Sequence, residues 1–394
     1  MTTLLTTVFW ISCFGVGYTY VLYPVLLFVW RTLKRKPTTS VSVEQRSDRE
    51  LPSVTVVIAA YNEEAVIGQK ISNIRSTDYP GDRIEFLVGS DGSTDRMEQL
   101  LQSCGVPSLQ VFRFPDRRGK ASVLNDLVAG AQGEIIVFSD ANTVYEPTTI
   151  RRLVGAFSDP SVGGALGELS LVTQGGTLAE HAESFYWRYE NALKKLESEI
   201  FTTLGGTGPL YAVRRSLFVP LPISKVVTDD FLVPLSVLAR GYRVVYEPRA
   251  RGHEETSASV AREFRRKTRI AVGNYHGISE FYRLLSPRYG FVAFALWSHK
   301  ILRWMGWIFL LAMVSTSAYV AADNRFFLFV CVFEIVVAAL VALGAGAEKL
   351  RFRIGMLGMP FHFVAMNAAL ALGFLQFIAG RRQPTWEVVR HKGS

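Results

Sequence analysis

Long uncharged apolar stretches at the two ends of the chain constrain its fold more than any other feature. The first, residues 4–30, contains no Asp, Glu, Lys or Arg, and a membrane-spanning helix needs ~20 apolar residues. A signal peptide would have a shorter apolar region behind a basic start, and no basic residue precedes this one. We therefore predict a retained transmembrane anchor, with its basic flank at Arg31 and residues 34–36 in the cytoplasm.

The C-terminal third contains three further apolar stretches, at residues 304–322, 326–347 and 354–380. Short polar turns separate them, which favours membrane helices over buried core segments. Residues 281–303 mix aromatic and basic side chains, a pattern typical of a helix lying in the lipid headgroup layer. Glu334 is the one acidic residue of the middle stretch; it is either a functional group, the default for an ionisable residue in a span, or a side chain facing a neighbouring helix.

The charges do not give one consistent membrane topology. Three C-terminal spans would put the basic tail after residue 380 outside, whereas basic segments prefer the cytoplasm. Either the tail violates that rule, or one apolar segment is re-entrant or interfacial.

Composition excludes several classes of protein. Of the 394 residues 49% are hydrophobic and 20% are charged, which excludes a mostly disordered chain. The formal net charge is +9, but the basic residues cluster beside apolar segments, so we predict membrane lipid and not nucleic acid as their partner. The three cysteines show neither metal-ligand spacing nor a disulfide framework, which agrees with a middle region in a reducing cytoplasm.

The middle of the chain reads as a separate α/β domain. Four short β-branched runs alternate with helical patterns and predict strands at residues 53–60, 84–88, 110–114 and 134–138. This alternation predicts a mostly parallel sheet covered on both faces, whose ligands bind at the carboxyl ends of the strands. The predicted organisation is an N-terminal anchor and linker, a cytoplasmic domain, an amphipathic interface region, and C-terminal membrane helices with a tail, at residues 1–50, 51–271, 272–303 and 304–394.

Acidic residues follow two of these strands and recur later in the chain. Asp91 and Asp140 come directly after strands, and Asp229–Asp230 form a third acidic site. A single such Asp is most simply a helix N-cap, but three sites at one sheet favour chemistry. Asp140 and Asn142 place two oxygen donors on one turn, which suits Mg²⁺ or Mn²⁺ bound to a diphosphate. The sequence contains no phosphate loop of the Gly-x-x-x-x-Gly-Lys-Ser/Thr type.

An ordered set of motifs then resembles the membrane-bound family-2 glycosyltransferases, a group that includes cellulose, hyaluronan, chitin-oligosaccharide and poly-N-acetylglucosamine synthases. The motifs are Ala60-Tyr61-Asn62-Glu63, Asp91-Gly92-Ser93, Gly119-Lys120-x-x-x-Leu124-Asn125, Asp140-Ala141-Asn142, Gly205-Gly206-Thr207-Gly208, Thr228-Asp229-Asp230 and Arg266-x-x-Arg269. Residues 298–304 and the tail pattern Trp386-x-x-x-Arg390 also look like these synthases.

The resemblance implies a nucleotide-sugar fold of the glycosyltransferase A type and an inverting mechanism. It implies that Ala60, Tyr61, Glu63, Asp91, Lys120 and Asp140 bind the nucleotide-sugar, with the uracil at Tyr61, the uridine at Asp91, and the metal and diphosphate at Asp140 and Asn142. It implies that Asp230 is the general base, that Arg266 and Arg269 face the leaving diphosphate, and that Gly206, Thr207, Gly208 and Asp229 face the acceptor. The divalent cation would be Mg²⁺ or Mn²⁺, and the donor a UDP-sugar.

Each role has a structural alternative. Asp229 and Asp230 could cap a helix, Lys120 could begin a surface helix, and residues 205–208 could form a plain turn. The basic residues at 262–269 could form a solvated or lipid-facing surface, and we expect them both to meet headgroups and to reach phosphate.

Two motifs depart from the family pattern. The usual Gln-x-x-Arg-Trp reads Arg266-x-x-Arg269-Ile270, which leaves processive polymerisation open because the Trp is implied to stack under the acceptor sugar. Asp140-Ala141-Asn142 replaces Asp-x-Asp, which predicts weaker metal binding.

The leading hypothesis is therefore a membrane-embedded inverting glycosyltransferase with a cytoplasmic catalytic domain, which transfers sugar from a UDP-sugar to a growing β-linked polysaccharide. Export of that polymer would add accessory export proteins as partners. The alternative is transfer of a single sugar to a lipid acceptor of the ceramide or polyprenyl-phosphate type. A third class, a transporter or receptor with a non-catalytic nucleotide-binding domain, is disfavoured by Asp91, Asp140, Asp230 and Arg269.

Overall fold

The computed structural model describes residues 1–34, 48–172, 178–206, 208–255, 260–350 and 359–380, with the backbone alone at 178–185 and 348–350. Thr207, most of the predicted linker, and Trp386 and Arg390 of the tail lie outside the described residues.

One mixed sheet of eight strands forms the centre of the middle region. The strands are β1 Val54–Ala60, β2 Ile84–Asp91, β3 Leu109–Phe114, β4 Ile135–Ser139, β5 Val144–Tyr145, β6 Val162–Val172, β7 Tyr211–Arg214 and β8 Arg243–Glu255. Their order across the sheet is β3-β2-β1-β4-β7-β6-β8-β5.

The four strands predicted from the sequence form the parallel half of this sheet. β1 pairs in parallel with β2 and β4, and β2 with β3. All seven residues of β1 are buried, because helices cover both faces and a doubly covered strand carries apolar side chains throughout. The carboxyl ends of β1, β2 and β4 therefore meet at one edge, as predicted.

The other half of the sheet did not follow from the sequence. β7 runs antiparallel between β4 and β6, and β5 runs antiparallel to β8. β6 and β8 are parallel, with a break in register after Gly167. Glycines at 163, 164 and 167 dilute the β-branched signal of β6, and Pro248 interrupts β8, so neither strand shows the usual pattern.

Within the described residues, fourteen α-helices surround the sheet or extend away from it. They are α1 Thr2–Gly17, α2 Tyr23–Leu33, α3 Glu64–Arg75, α4 Met97–Ser103, α5 Lys120–Gly130, α6 Thr149–Gly155, α7 Leu178–Ile200, α8 Asp229–Ala239, α9 Val260–Glu280, α10 Phe291–Ala295, α11 Leu302–Trp304, α12 Gly306–Val320, α13 Arg325–Leu350 and α14 Met359–Ile378. One apolar core lies on each face of the sheet. Helix α9 runs without a break through position 271, where the sequence suggested a domain boundary.

Three helical segments of the described chain are long and apolar enough to cross a membrane, judged by length and composition. They are Thr2–Leu33, Arg325–Ala347 and Met359–Ile378. The stretch predicted at residues 304–322 differs, because α12 has only 15 residues. It reaches spanning length only together with Phe291–Trp304, from which it is bent by 53°.

Candidate active site

A cleft of about 370 Å³ opens at the carboxyl edge of the sheet. Its walls come from the ends of β1 and β4, the start of α8, one face of α9, and helix α7. Most of the residues singled out from the sequence line it: Glu63, Lys120, Asp140, Asn142, Gly206, Gly208, Asp229, Asp230, Arg266 and Arg269.

Lys120 connects the two acidic motifs at one end of the cleft, which we call the donor end (Glu63, Lys120, Asp140, Asn142). Its Nζ lies 2.9 Å from Asp140 Oδ1 and 3.2 Å from Asp229 Oδ1. Burial disfavours its charge, but the neighbouring carboxylates outweigh burial and hold the pKa of Lys120 above its usual value. The ammonium therefore stays charged and is positioned to neutralise an incoming phosphate.

Oxygen donors at the donor end fit a hard divalent cation. The Asn142 amide nitrogen donates to Glu254 Oε1 at 2.7 Å, which leaves the Asn142 carbonyl oxygen as the atom that could meet a cation beside Asp140. Among the described residues no group of three or more His, Cys, Asp or Glu side chains is arranged to hold a metal by itself. A cation here would therefore be shared between Asp140, Asn142 and diphosphate oxygens, the way in which proteins commonly bind Mg²⁺.

Glu63 stands beside these carboxylates. Burial, and then the nearby charges of Asp140, Asp95 and Glu254, raise the pKa of Glu63 to about 7. Below that pH the carboxyl is neutral and can donate a hydrogen bond to a ligand at the donor end.

Asp229 and Asp230 begin helix α8, in the middle of the cleft. The Tyr211 hydroxyl donates to Asp229 Oδ2 at 2.9 Å, and the Gly208 N–H donates to Asp230 Oδ2 at 2.8 Å. Burial, and then repulsion from Asp229, raise the pKa of Asp230 above its usual value. Asp230 is thus a stronger base than an ordinary aspartate, and it is held in place by its neighbours.

Helix α9 supplies the basic wall of the cleft. Arg266, Lys267 and Arg269 line it. Glu263, which is almost fully buried, pairs with Arg266 at 2.8 Å and with Lys267 at 3.8 Å. Glu263 is one carboxylate against two of these three cations, so α9 presents net positive charge to the cleft, as an anionic leaving group requires.

Comparison with known proteins agrees with this geometry. Residues 55–219 match the family model described as glycosyl transferase family 2. The chain carries a family-2 glycosyltransferase domain.

Two curated relatives of this glycosyltransferase domain differ in what their names say they make. Beta-monoglucosyldiacylglycerol synthase of Synechocystis is 29% identical over 59% of this chain and 50% of its own length. Poly-beta-1,6-N-acetyl-D-glucosamine synthase of Staphylococcus aureus is 25% identical over 56% of this chain and 52% of its own length. The chain thus spans about half the length of these curated relatives.

A solved structure covers the chain more fully. A mannosyltransferase from Pyrobaculum calidifontis, solved in complex with GDP-mannose and Mn²⁺, matches 96% of this chain and 100% of its own. The TM-score is 0.69 at 23% sequence identity. This likeness confirms the predicted glycosyltransferase A-type fold.

Three residues that the resemblance assigned to the nucleotide do not line the cleft of the glycosyltransferase domain. Ala60 is buried within β1, and the Tyr61 ring lies 4.0 Å from the Arg117 guanidinium. Asp91 is 0% exposed. Its carboxylate accepts from the Arg118 and Gly119 N–H groups at 2.7 and 3.0 Å. Asp91 therefore shapes the loop that leads to Lys120, and its contact with a nucleotide stays a prediction.

The sequence did not reveal the other end of the cleft, which we call the inner chamber. It is lined by Tyr186, Trp187, Glu190, Lys194, Lys300 and Trp304. Helix α7 contributes the first four at helical spacing. This periodicity is the one sequence signal for α7 as a wall of the cleft, but its charged residues look like a solvent-exposed helix face.

Buried ion pairs lie next to the inner chamber, and we call them the chamber floor. Glu190 pairs with Arg303, and His299 lies 2.6 Å from Glu197 and 3.2 Å from Glu190. Tyr23 of α2 also donates to Glu197 at 2.8 Å. Glu190, Glu197 and His299 are almost fully buried, so the chamber floor is packed in the described part of the chain.

Proposed function

We propose that this protein is a membrane-embedded inverting glycosyltransferase that transfers one sugar from a UDP-sugar to a hydroxyl of a lipid-borne acceptor. The observation that carries this proposal is the placement of Asp230, a buried carboxylate with a raised pKa. It lines the same cleft as the donor end and the inner chamber, and the charges of Lys120 and Lys194 both act on it.

Asp230 is the proposed general base. It takes the proton of the acceptor hydroxyl while the acceptor oxygen forms a bond to the anomeric carbon. The bond from that carbon to the diphosphate breaks at the same time, and the nucleoside diphosphate leaves with the electron pair. Attack from the face opposite to the leaving group inverts the anomeric configuration.

The leaving diphosphate meets positive groups at the donor end. Lys120 and the α9 residues Arg266 and Arg269 face the space that it would occupy. Asp140 and Asn142 would hold Mg²⁺ or Mn²⁺, which supplies further positive charge where the diphosphate charge develops. The solved mannosyltransferase contains a nucleotide-sugar and Mn²⁺, which supports both substrate class and metal.

Two features support a membrane location. Three helical segments of the described chain have spanning length and composition, and α13 exposes large apolar side chains such as Phe329, Phe333 and Ile335. An exposed apolar surface of this size is rare on a soluble monomer and is typical of a surface that contacts a membrane or another protein. The first of these segments is followed by Arg31 and further basic residues, which supports a cytoplasmic catalytic domain.

The packed chamber floor favours a single transfer over polymer synthesis. A growing polymer must leave the site past its acceptor end, where Glu190, His299 and Arg303 are buried and paired. Ile270 stands where the synthases have a Trp. The glycolipid-forming relative supports this choice, and polymer synthesis is the second candidate because of the polysaccharide-forming relative.

A donor screen with product sizing tests the proposal. Full-length protein in nanodiscs is incubated with radiolabelled nucleotide-sugars, Mg²⁺ or Mn²⁺, and a lipid extract. We expect one UDP-sugar to give a single organic-soluble product, whereas a ladder of long products would establish polymer synthesis instead.

Asp230→Asn tests the base. We expect transfer to fall by about 10²–10⁴-fold, since a general base contributes that much, while UDP affinity measured by calorimetry stays unchanged. Asp82→Asn, at an exposed surface position, is the matched control. An Asp230→Asn variant with normal turnover would refute the assignment.

A further inference from the structure

Lys194 is a buried cation that forms no ion pair or hydrogen bond within the described residues. It is 3% exposed and lines the inner chamber. The Trp187 ring centroid lies 5.3 Å from its Nζ, and the carboxylates of Glu190, Asp230 and Glu197 act on it only through space. A buried ammonium without an oxygen partner is destabilising, so packing of the fold does not explain Lys194.

Trp187 adds a second donor without an acceptor. Its indole Nε1 is buried and has no hydrogen-bond partner among the described residues. Trp187 and Lys194 are seven residues apart on α7, which puts them on the same helix face, and both line the inner chamber. The Trp187 N–H and the Lys194 ammonium are thus two donors on one helix face without an acceptor in the described chain, and an acceptor oxygen from a ligand is one way to satisfy them.

The carboxylates nearby are already engaged. Glu190 binds Arg303, His299 and Lys300, and Glu197 binds His299, Tyr23 and Thr203. Burial lowers the pKa of Lys194 to about 8 although Glu190, Asp230 and Glu197 act in the opposite direction. Lys194 therefore remains largely protonated at neutral pH, and Lys300 adds a second cation to the same chamber.

The Lys194 ammonium and the Trp187 N–H belong to the acceptor side of the cleft and not to the side that binds the nucleotide-sugar. Lys194 lines the same cleft as Asp230, the proposed base, and each carries a charge that acts on the other. The diphosphate-binding groups Lys120 and Asp140 lie at the donor end. The other wall of the inner chamber is Lys300 and Trp304, at the start of the helices that lead to α12.

We propose that the inner chamber recognises an acceptor through an anionic oxygen group, a phosphate or carboxylate, which Lys194 and the Trp187 N–H bind beside the attacking hydroxyl. This inference rests on the proposed function, because it assumes that the acceptor enters on the chamber side of Asp230. The anionic group has two potential sources, a lipid phosphate headgroup or an acidic sugar.

Matched soluble probes distinguish these sources. Binding of decyl phosphate and decanol reports on a phosphate headgroup, and binding of decyl β-glucuronide and decyl β-glucoside reports on an acidic sugar. Each is titrated by calorimetry into the full-length protein in nanodiscs, with UDP present. We expect the charged member of one pair to bind about tenfold or more tightly than its neutral partner, the usual gain from a charge-assisted hydrogen bond.

Variants then assign the preference. Lys194→Met should abolish the charged-over-neutral ratio while leaving UDP affinity unchanged. Trp187→Phe, which keeps a ring but removes the N–H, should reduce that ratio about threefold or more. Lys195→Met, at the exposed neighbouring position, is the matched control and should behave as wild type.

Three results would overturn the proposal. They are equal binding of charged and neutral probes by the wild type, an unchanged ratio in Lys194→Met, and a fall in UDP affinity in Lys194→Met, which would assign Lys194 to the donor. If the wild type does not bind UDP or does not transfer sugar, the proposed function itself is wrong. The two failures are therefore distinguishable.

Discussion

At the scale of single residues, Gly206 sets how closely the backbone can approach the proposed base. Its N–H donates to the main-chain oxygen of Asp230, and a Cβ at Gly206 would lie 2.5 Å from Asp230 Cβ. That separation is far inside van der Waals contact, so any side chain at position 206 must move the first turn of α8. The orientation of Asp230 therefore depends on the absence of one methyl group.

We expect Gly206→Ala to reduce the turnover number for sugar transfer about 10²-fold, because a displacement near 1 Å misaligns the base and the acceptor. UDP affinity should change little, since the donor end is formed by other residues. Gly68→Ala, in α3 with open space around its Cβ position, controls for the substitution itself. A Gly206→Ala enzyme with full turnover would show that Asp230 tolerates displacement.

Residue by residue, the sequence predicted cleft positions better than it predicted contacts. Lys120, Asp140, Asp230 and Arg266 all line the cleft. Asp91 also follows a parallel strand, yet its carboxylate binds backbone N–H groups of the next loop. A strand-end aspartate that faces a ligand and one that secures a loop have the same local sequence, and only the path of the chain after β3 distinguishes them.

At the scale of elements, α7 is the helix that sequence reasoning missed. Its charged residues Glu190, Lys194 and Glu197 look like a solvated face at helical spacing, but all three are buried. The partners of Glu190 and Glu197, namely His299, Lys300 and Arg303, are about a hundred residues away in the chain. Local pattern carries no information on such distant pairing, whereas the four parallel strands follow from local β-branched runs.

The buried ion pairs between α7 and residues 296–304 give a stability prediction. We expect Glu190→Gln to lower Tm by about 6 °C or more, because removing one partner of a buried ion pair costs about 3–5 kcal/mol. Glu190 lines the inner chamber but also pairs with Arg303, which would be left buried without its carboxylate, and with His299, which would keep only Glu197.

Glu199→Gln is the matched control for that measurement. Glu199 lies on the same helix and pairs with Arg31 at 2.6 Å, with both side chains partly exposed. Exposed pairs contribute about 0–1 kcal/mol, so its Tm should stay within about 2 °C of the wild type. Equal Tm values for the two variants would mean that the chamber floor does not hold α7 in place.

At the scale of the whole molecule, α12 packs along α1, α13 meets α1 through its first residues, and α14 lies along α9. Phe309 of α12 packs against Gly15, and Phe327 of α13 packs edge-on against Phe9 in the middle of α1, with 5.0 Å between the ring centroids. Gly344 lies 17 residues after Phe327, about 25 Å back toward the catalytic domain.

Helix α14 packs mainly along α9, with further contacts to α13, α12 and α7. Phe361 contacts Gly344, and the Phe363 ring is 5.7 Å from Tyr20. Further along, Gly373 packs on Ala271, and Phe374 lies 5.2 Å from Tyr275 of α9. Because α9 also lines the cleft, α14 lies beside a wall of the catalytic domain, and we predict that it is an interfacial helix that does not cross the bilayer.

This arrangement predicts that the chain leaves α14 on the side of the catalytic domain. A fluorescent protein fused after residue 394 should therefore fluoresce in the cytoplasm, and an alkaline phosphatase fused there should be inactive. The same reporters fused after residue 323, between α12 and α13, should give the opposite pair of results. Active phosphatase at both positions would mean that α14 crosses the bilayer. The expected outcome would satisfy the positive-inside rule for the basic tail.

Helix α9 takes part in two different contacts. Its basic residues line the cleft, and another part of its surface packs against α14. The small residues Ala271 and Gly373 leave no space between the two helices. Whatever surrounds α14 therefore acts on the catalytic wall through a rigid contact. We therefore expect the rate of sugar transfer to depend on the detergent or lipid, as it does on pH and on the divalent cation.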